Sequence, residues 1–264
     1  MSLPTQATGS AGEIPFRRGS LRPQLTQLRK TLMQLQTRAV TAVPSGMAPV
    51  DRHLPGSGLA LALHEIAPAD FRSRPAAWGF LLALARGVAA PRSGLVLWPL
   101  LTGAEHAFGV PYGAGLKNFG FDPGSFLFAR CARPRDTLWA MEEGLRLGGL
   151  AAVIGQRTPR MTLTQSRRLQ LAAEHTATPI FLLREHGDDI AGAARTLWRV
   201  SPCPAARDRF GYMTYPRWHV ALERTRGGGV GEWVMEWDHD ALCLRLPSAL
   251  ADRTVSAAET KKRA

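Results

Sequence analysis

The sequence predicts an α/β protein with a doubly wound, mostly parallel sheet, an N-terminal helix before it and antiparallel strands after it. Between residues 58 and 193, short apolar segments alternate with segments of helical period, as in a parallel sheet covered on both faces. Beyond Ala193 the strand patterns are joined by turn-forming residues, which indicates antiparallel pairing. Near the N-terminus, leucines recur at helical spacing.

Each element follows from its local pattern. The parallel strands are predicted at 59–66, 94–100, 126–129, 150–154 and 180–183. The helices between them are predicted at 76–89, 107–119, 134–147 and 164–176. The antiparallel strands are predicted at 196–200, 218–224, 232–237 and 242–246, with turns at 227–229 and 238–240. Right-handed crossovers between the parallel strands then give the doubly wound arrangement.

The two ends of the chain differ from this core, which spans 58–246. Residues 1–22 are rich in Ser, Gly, Pro and Thr and are predicted to be a disordered tail, and residues 247–264 a mobile basic tail. Residues 23–42 are predicted to form an amphipathic helix, and residues 43–57, with their Pro and Gly, a linker. Both ends carry candidate partner-binding residues, which are Leu25, Leu28, Leu32, Leu35, Lys261, Lys262 and Arg263. The leucine stripe suits self-association or packing on a neighbour.

Composition narrows the functional classes. The 264 residues have a net charge of +12 and a pI near 10.8. That excess favours nucleic acid or acidic protein segments as partners, but the arginine usage of a GC-rich genome also explains it. No stretch approaches the roughly 20 apolar residues of a membrane helix, and no secretory signal is recognisable. The sequence therefore predicts a cytoplasmic protein without a membrane partner.

Six motifs carry a family resemblance. They are Leu63–Ile66, Phe126–Arg130 with Arg133–Glu143, Leu150–Gln156, Leu163–Ala173, Trp198–Val200 and Gly231–Asp238. Together they make residues 54–246 resemble the ImuA family, RecA-like proteins of the bacterial SOS mutagenesis cassette. The resemblance implies a RecA-like fold and a non-catalytic adaptor role in error-prone translesion DNA synthesis. Its implied partners are an ImuB-like inactive relative of the Y-family polymerases and an error-prone C-family DNA polymerase, with DNA, RecA and a second copy of the chain as further candidates.

Catalysis by a RecA-like ATPase requires groups that this sequence lacks. The strand ending at Ile66 continues into Ala67-Pro68-Ala69-Asp70, without the glycines and the lysine of a phosphate loop. The strand 150–154 is followed by Gly155-Gln156 and not by a metal-binding carboxylate. Glu105 is at most a relic of a water-activating residue. The sequence therefore predicts no enzyme activity, no catalytic residue, no metal site and no cofactor.

Three other functions remain open. One is a nucleotide-binding protein with a non-standard phosphate site, which ATP binding would reveal. The second is a SulA-like inhibitor of cell division, suggested by distant similarity alone. The third is a DNA-binding module, which would bind DNA unaided at physiological salt.

Histidines and tryptophans are assigned structural roles. His64 and Glu65 lie next to each other on a core strand, so their side chains should point to opposite faces. A buried hydrogen bond is therefore favoured over a shared metal ion. The sequence 238–240 is interpreted as turn chemistry. Trp233, Met235 and Trp237 should share a core-facing side of their strand, with Val234 and Glu236 outside.

Arginines at strand exits are the candidate DNA contacts. In RecA-like proteins the loops after these strands approach DNA, so the resemblance implies contacts with the phosphate backbone. The alternative is that these side chains are solvated or stabilise helix ends. The candidates are Arg157, Arg160, Arg167, Arg168, Arg130 and Arg133.

Overall fold

The computed structural model describes residues 41–103, 109–157, 161–188, 192–205 and 207–247. All of them belong to the unit Ala39–Ala264. Several predictions fall outside these ranges, namely the tail 1–22, the leucine stripe at Leu25, Leu28, Leu32 and Leu35, Glu105, Arg160, and the tail that ends in Lys261, Lys262 and Arg263. Of the predicted helix 23–42 only residues 41 and 42 are described, and Ala42 begins a strand.

Strands and helices alternate as the sequence predicts. The strands are β1 (Ala42–Val43), β2 (Leu59–Ala60), β3 (Leu63–Pro68), β4 (Leu95–Leu101), β5 (Phe126–Cys131), β6 (Leu150–Gln156), β7 (Ile180–Leu183), β8 (Thr196–Cys203), β9 (Arg217–Thr225), β10 (Gly231–Asp238) and β11 (Cys243–Arg245). The helices are α1 (Ala48–Asp51), α2 (Arg74–Ala89), α3 (Gly113–Asn118), α4 (Pro134–Leu147) and α5 (Leu163–Thr176). Short 3₁₀ turns lie at Phe71–Ser73 and Pro123–Ser125.

One large sheet organises the fold. Its nine strands run in the order β11-β10-β9-β8-β3-β7-β6-β4-β5. From β8 to β5 every neighbouring pair is parallel, whereas β8, β9, β10 and β11 pair antiparallel. The α/β class, the mostly parallel sheet and the antiparallel C-terminal strands are confirmed, and this architecture is consistent with the RecA-like fold that the resemblance implied.

Two apolar layers cover the sheet. On one face α2 packs through Phe80 and Leu81, in a cluster that also holds Trp198 and Trp218. On the other face α4 and α5 pack through Met141, Leu145 and Leu169. Both layers follow from the predicted amphipathic periodicity, because a sheet with strands buried on both faces needs helices on each side.

The segment 43–57 is not the linker that its Pro and Gly content suggested. Met47, Val50 and Leu54 are buried in the larger core. The turn between β9 and β10 contacts this segment: the Gly229 N–H donates to the carbonyl of His53 at 3.0 Å. At Gly228 a Cβ would come within 2.1 Å of the same carbonyl oxygen. Apolar burial and this close backbone approach fix residues that composition alone marked as loose.

Two further expectations need correction. The helix expected at 107–119 begins only at Gly113, because Pro111 disfavours a helical conformation at the residue before it. The strand expected at 59–66 is divided into β2 and β3. In β10, Met235 and Trp237 are buried and Trp233 packs against the core, as predicted. Glu236 is also buried, however, because the guanidiniums of Arg217 and Arg245 lie within 3.1 and 2.8 Å of its carboxylate.

Candidate functional site

The two polar residues of β3 occupy opposite faces of the sheet. His64 Nδ1 lies 2.7 Å from Thr196 Oγ1, and its Nε2 lies 2.8 Å from the carbonyl oxygen of Ala60. Its ring stacks on Phe181. Burial lowers the pKa of His64 to about 4, and the charge of Arg195 acts in the same direction. The imidazole is therefore neutral and structural near pH 7, as the sequence analysis expected for a buried hydrogen-bonding histidine.

On the other face, Glu65 is the centre of an interior charge cluster formed by Glu65, Arg157, Arg184 and Asp188. Glu65 is fully buried, with one carboxylate oxygen 3.2 Å from Arg184 Nη1 and the other 3.5 Å from Arg157 Nε. Asp188 pairs with both arginines. Burial raises the pKa of Glu65, while the charges of Arg184 and Arg157 oppose that rise. In this cluster two carboxylates balance two guanidiniums inside the protein.

Backbone packing closes the interior charge cluster on a further side. A Cβ at Gly192 would lie 2.5 Å from a carboxylate oxygen of Glu65. The Arg157 guanidinium also donates to the carbonyl of Met161 at 2.9 Å. The cluster therefore ties the residues that follow β6 and β7 to the centre of β3. Such a buried network stabilises the fold only while each charge keeps its partner.

The carboxyl edge of the parallel strands is spanned by a second chain of side chains, here called the edge bridge. Arg74 Nη2 donates to Gln156 Oε1 at 2.9 Å, and Gln156 Nε2 donates to Glu185 Oε1 at 2.7 Å. Arg74 opens α2, Gln156 ends β6 and Glu185 follows β7. Gln156 is the residue that the sequence analysis compared with the metal carboxylate of a RecA-like ATPase. Both polar atoms of its amide form hydrogen bonds within the edge bridge.

A capped turn follows β3 where a phosphate loop would begin. The Asp70 carboxylate accepts hydrogen bonds from the backbone N–H of Ser73 at 2.8 Å and from its hydroxyl at 2.7 Å. These bonds lower the pKa of Asp70. The side chain of Asp70 thus caps the start of the turn that leads into α2 and occupies the backbone donor of Ser73.

The predicted DNA contacts do not form one surface. Arg157 lies in the interior charge cluster with its side chain fully buried, so it is not presented to a ligand backbone. Arg133 forms a double hydrogen bond with Asp136. Arg168 pairs with Glu142, which links α5 to α4. Arg130 and Arg167 are exposed, whereas Arg160 lies outside the described residues.

One of the predicted residues, Arg167, belongs to a group with three arginines that sequence reasoning missed, here called the open arginine cluster. It consists of Arg167, Arg195, Arg224 and Arg226. Arg195 immediately precedes β8, and its carbonyl accepts from the N–H of Arg226 at 2.9 Å. Arg224 is the second-last residue of β9 and lies opposite Leu197. The only hint in the sequence was the run Arg224-Thr-Arg226 beside a glycine turn, and nothing local indicated that Arg195 would pair with it.

The charges of the four arginines act on one another. Burial lowers the pKa of Arg226, and the positive charges of Arg224, Arg195 and Arg167 lower it further. Glu174 is the neighbouring carboxylate, 3.3 Å from Arg195 Nη2. The four guanidiniums have Glu174 beside Arg195 and the buried Glu65, 3.8 Å from Arg224, as neighbouring carboxylates among the described residues, so positive charge is in excess.

Possible metal ligands are scarce in the described ranges. In these ranges no three His, Cys, Asp or Glu residues come together in a way that could hold a metal ion. The sequence 238–240 forms a turn, in which Asp238 Oδ1 accepts from the N–H groups of Asp240 and Ala241 at 3.0 and 2.9 Å. None of the helices that the structure describes is long and apolar enough to span a membrane.

Comparison with known proteins identifies the family. The chain is 34% identical over 252 residues to Protein ImuA of Caulobacter vibrioides strain NA1000, an alignment covering 88% of this chain and 99% of the relative. The ImuA of strain ATCC 19089 matches to the same extent. The chain belongs to the ImuA family. No protein-family model matches the chain, so the membership rests on these relatives and agrees with the resemblance seen in the motifs.

For this member of the ImuA family, the arrangement of side chains is suited to binding. The polar groups at the carboxyl edge bond to one another, and the interior charges are balanced. The open arginine cluster differs from both, because it concentrates positive charge at a surface. It is the strongest candidate for contact with another molecule.

Proposed function

We propose that this ImuA-family chain is a non-catalytic accessory protein of error-prone translesion DNA synthesis in the SOS response. Its family membership supports the pathway, since the family resemblance implies a place in the SOS mutagenesis cassette. The proposal includes an ImuB-like inactive Y-family polymerase relative and an error-prone C-family polymerase as partners. It also places the chain in the cytoplasm.

The observation that carries the non-catalytic part is the edge bridge. A nucleotide bound at the end of β3 would need its phosphates wrapped by backbone N–H groups and a lysine. In their place lies a turn in which the backbone N–H and the hydroxyl of Ser73 donate to the carboxylate of Asp70. The amide that replaces the metal carboxylate, in Gln156, is held between Arg74 and Glu185. A scaffold of this kind can position partners without hydrolysing ATP.

The pathway is tested by ultraviolet-induced mutation frequency, measured together with survival. We expect a strain lacking this chain to lose induced mutation and the intact gene to restore it. Unchanged mutation frequency in the deletion strain would contradict the translesion role.

The non-catalytic part is tested separately with the variant Gln156→Ala. We expect this variant to restore induced mutation, because Gln156 only bridges neighbouring side chains in the proposed protein. A folded Gln156→Ala protein that fails to complement would indicate chemistry at this edge. ATP binding by the purified wild-type chain, measured with a fluorescent nucleotide, would equally contradict the proposal and favour the nucleotide-binding alternative.

A further inference from the structure

The open arginine cluster has more positive charge than the fold needs. The interior charge cluster is balanced by itself, since Glu65 and Asp188 pair with Arg157 and Arg184. Arg224 Nη2 is 3.8 Å from Glu65 Oε2, beyond hydrogen-bond reach. The carboxylate of Glu65 is therefore shared among three guanidiniums, and Arg224 is the most distant of them.

Several donors in this cluster are buried without a hydrogen bond. Among the described residues, Arg224 Nε and Nη2 and Arg195 Nε have no hydrogen-bond partner, although these atoms are not exposed to water. Buried donors of charged groups are costly to leave unpaired. These buried atoms are out of reach of a ligand in solution, whereas Arg226 and Arg167 are exposed at the edge of the cluster and can accept contacts from outside.

The strand register brings these donors to one side of the sheet. Arg224 is opposite Leu197, and Leu197 is opposite Glu65 on β3, so the three residues form one row across three strands. Arg195 and Arg226 are joined by a backbone hydrogen bond two residues further along, just beyond the ends of the paired strands. Because alternate residues share a face, Arg224 and Arg226 lie on the same side, about 7 Å apart along the strand.

The chemistry of the cluster points to phosphate oxygens. Guanidinium forks bind the paired oxygens of a phosphate in a bidentate manner, and all four charged donors of the cluster are arginines. Guanidinium contacts with phosphates do not depend on the base, which favours contacts to the backbone over base recognition.

We propose that Arg195, Arg224, Arg226 and Arg167 form a binding site for the phosphodiester backbone of a nucleic acid. The site lies beside the start of β8 and the end of β9, and it shares only Arg167 with the candidates to which the family resemblance pointed. Guanidinium contacts to phosphates release counterions, so binding depends on salt and not on base sequence. The proposal does not depend on the translesion pathway, because it concerns the purified chain alone.

The test is a fluorescence anisotropy titration of a labelled single-stranded oligonucleotide with the full chain at several salt concentrations. The test variant is Arg224→Gln with Arg226→Gln. The matched control is Arg207→Gln with Arg209→Gln, which removes the same charge from the exposed loop between β8 and β9. Both variants are checked for folding by urea denaturation. The single variant Arg226→Gln, at an exposed position, keeps the test decisive if the double variant is unstable.

We expect the test variant to bind roughly 10-fold more weakly or worse at low salt, with the control close to wild type. For two lost phosphate contacts, the slope of log affinity against log salt should become less negative by about 1.4. Equal weakening in both double variants, or no weakening in the test variant, would overturn the proposal. Displacement of the oligonucleotide by a poly-glutamate peptide of matched charge would also overturn the proposal. It would indicate that the site binds acidic protein segments.

Discussion

Two groups of arginines lie on the same side of the sheet and differ in how their charge is balanced. In the interior charge cluster, Glu65 and Asp188 pair with two guanidiniums that are buried. In the open arginine cluster, Glu174 pairs with Arg195 and Glu65 lies 3.8 Å from Arg224, and the pKa of Arg226 is lowered by burial and by its positive neighbours. The same residue type therefore stabilises the fold in one place and retains binding capacity in the other, depending on the number of nearby carboxylates.

The largest expected loss of stability is that of the variant Glu65→Gln. Removing this charge leaves Arg157 and Arg184 buried with Asp188 as their remaining acidic partner, and breaking a buried ion pair costs about 3–5 kcal/mol. Urea denaturation at pH 7 measures the loss. The control is Glu143→Gln, which removes the exposed partner of Arg146 and should cost less than about 1 kcal/mol. Equal effects of the two substitutions would show that Glu65 is not a structural centre.

His64, on the opposite face of β3, should make the free energy of unfolding depend on pH. Its pKa is about 4 in the folded state and about 6.5 when unfolded, so below pH 6.5 only the unfolded state binds the proton. Stability should therefore fall as pH decreases from 6.5 towards 4, by roughly 2 kcal/mol at pH 5. The measurement is the free energy of unfolding across this range in wild type and in His64→Gln. Because Glu65 titrates in both proteins, the difference between the two curves isolates His64. Parallel curves would contradict this assignment.

The smallest expected effect is that of Arg226→Gln on stability. Since the neighbouring charges repel Arg226, removing its charge should change the free energy of unfolding by no more than about 0.5 kcal/mol, and in the stabilising direction. The thermal midpoint without nucleic acid checks this. A loss comparable with that of Glu65→Gln would mean that the open arginine cluster supports the fold.

The C-terminal strands illustrate how far residue patterns reach. Alternation predicted the shared face of Met235 and Trp237, because a strand places every second side chain on one side. It also placed Glu236 outside, where the structure finds it buried between Arg217 and Arg245. The face was predictable from the two-residue period of a strand. The partner arginines lie on the two neighbouring strands, Arg217 on β9 and Arg245 on β11, and periodicity does not reveal such partners.

The segment 43–57 shows that composition can mislead about burial. Pro and Gly were taken as signs of a linker, yet Val50 and Leu54 are buried in the core. Composition describes the local flexibility of a chain, whereas burial here depends on the turn of β9 and β10 about 180 residues away in the chain, as the contact between His53 and Gly229 shows.

The sequence by itself determined the α/β class, the order of most elements and the family, because apolar periodicity and local motifs are written into neighbouring residues. It also indicated the missing phosphate loop. Only the tertiary structure decided which arginines are available for binding. Arg157 looked exposed after its strand but is paired with Glu65, whereas Arg195 and Arg226 attracted no attention yet are joined by a backbone hydrogen bond. The physical reason is that charge balance depends on distances in space, and those distances are set by strand order and register, which link residues far apart in the chain.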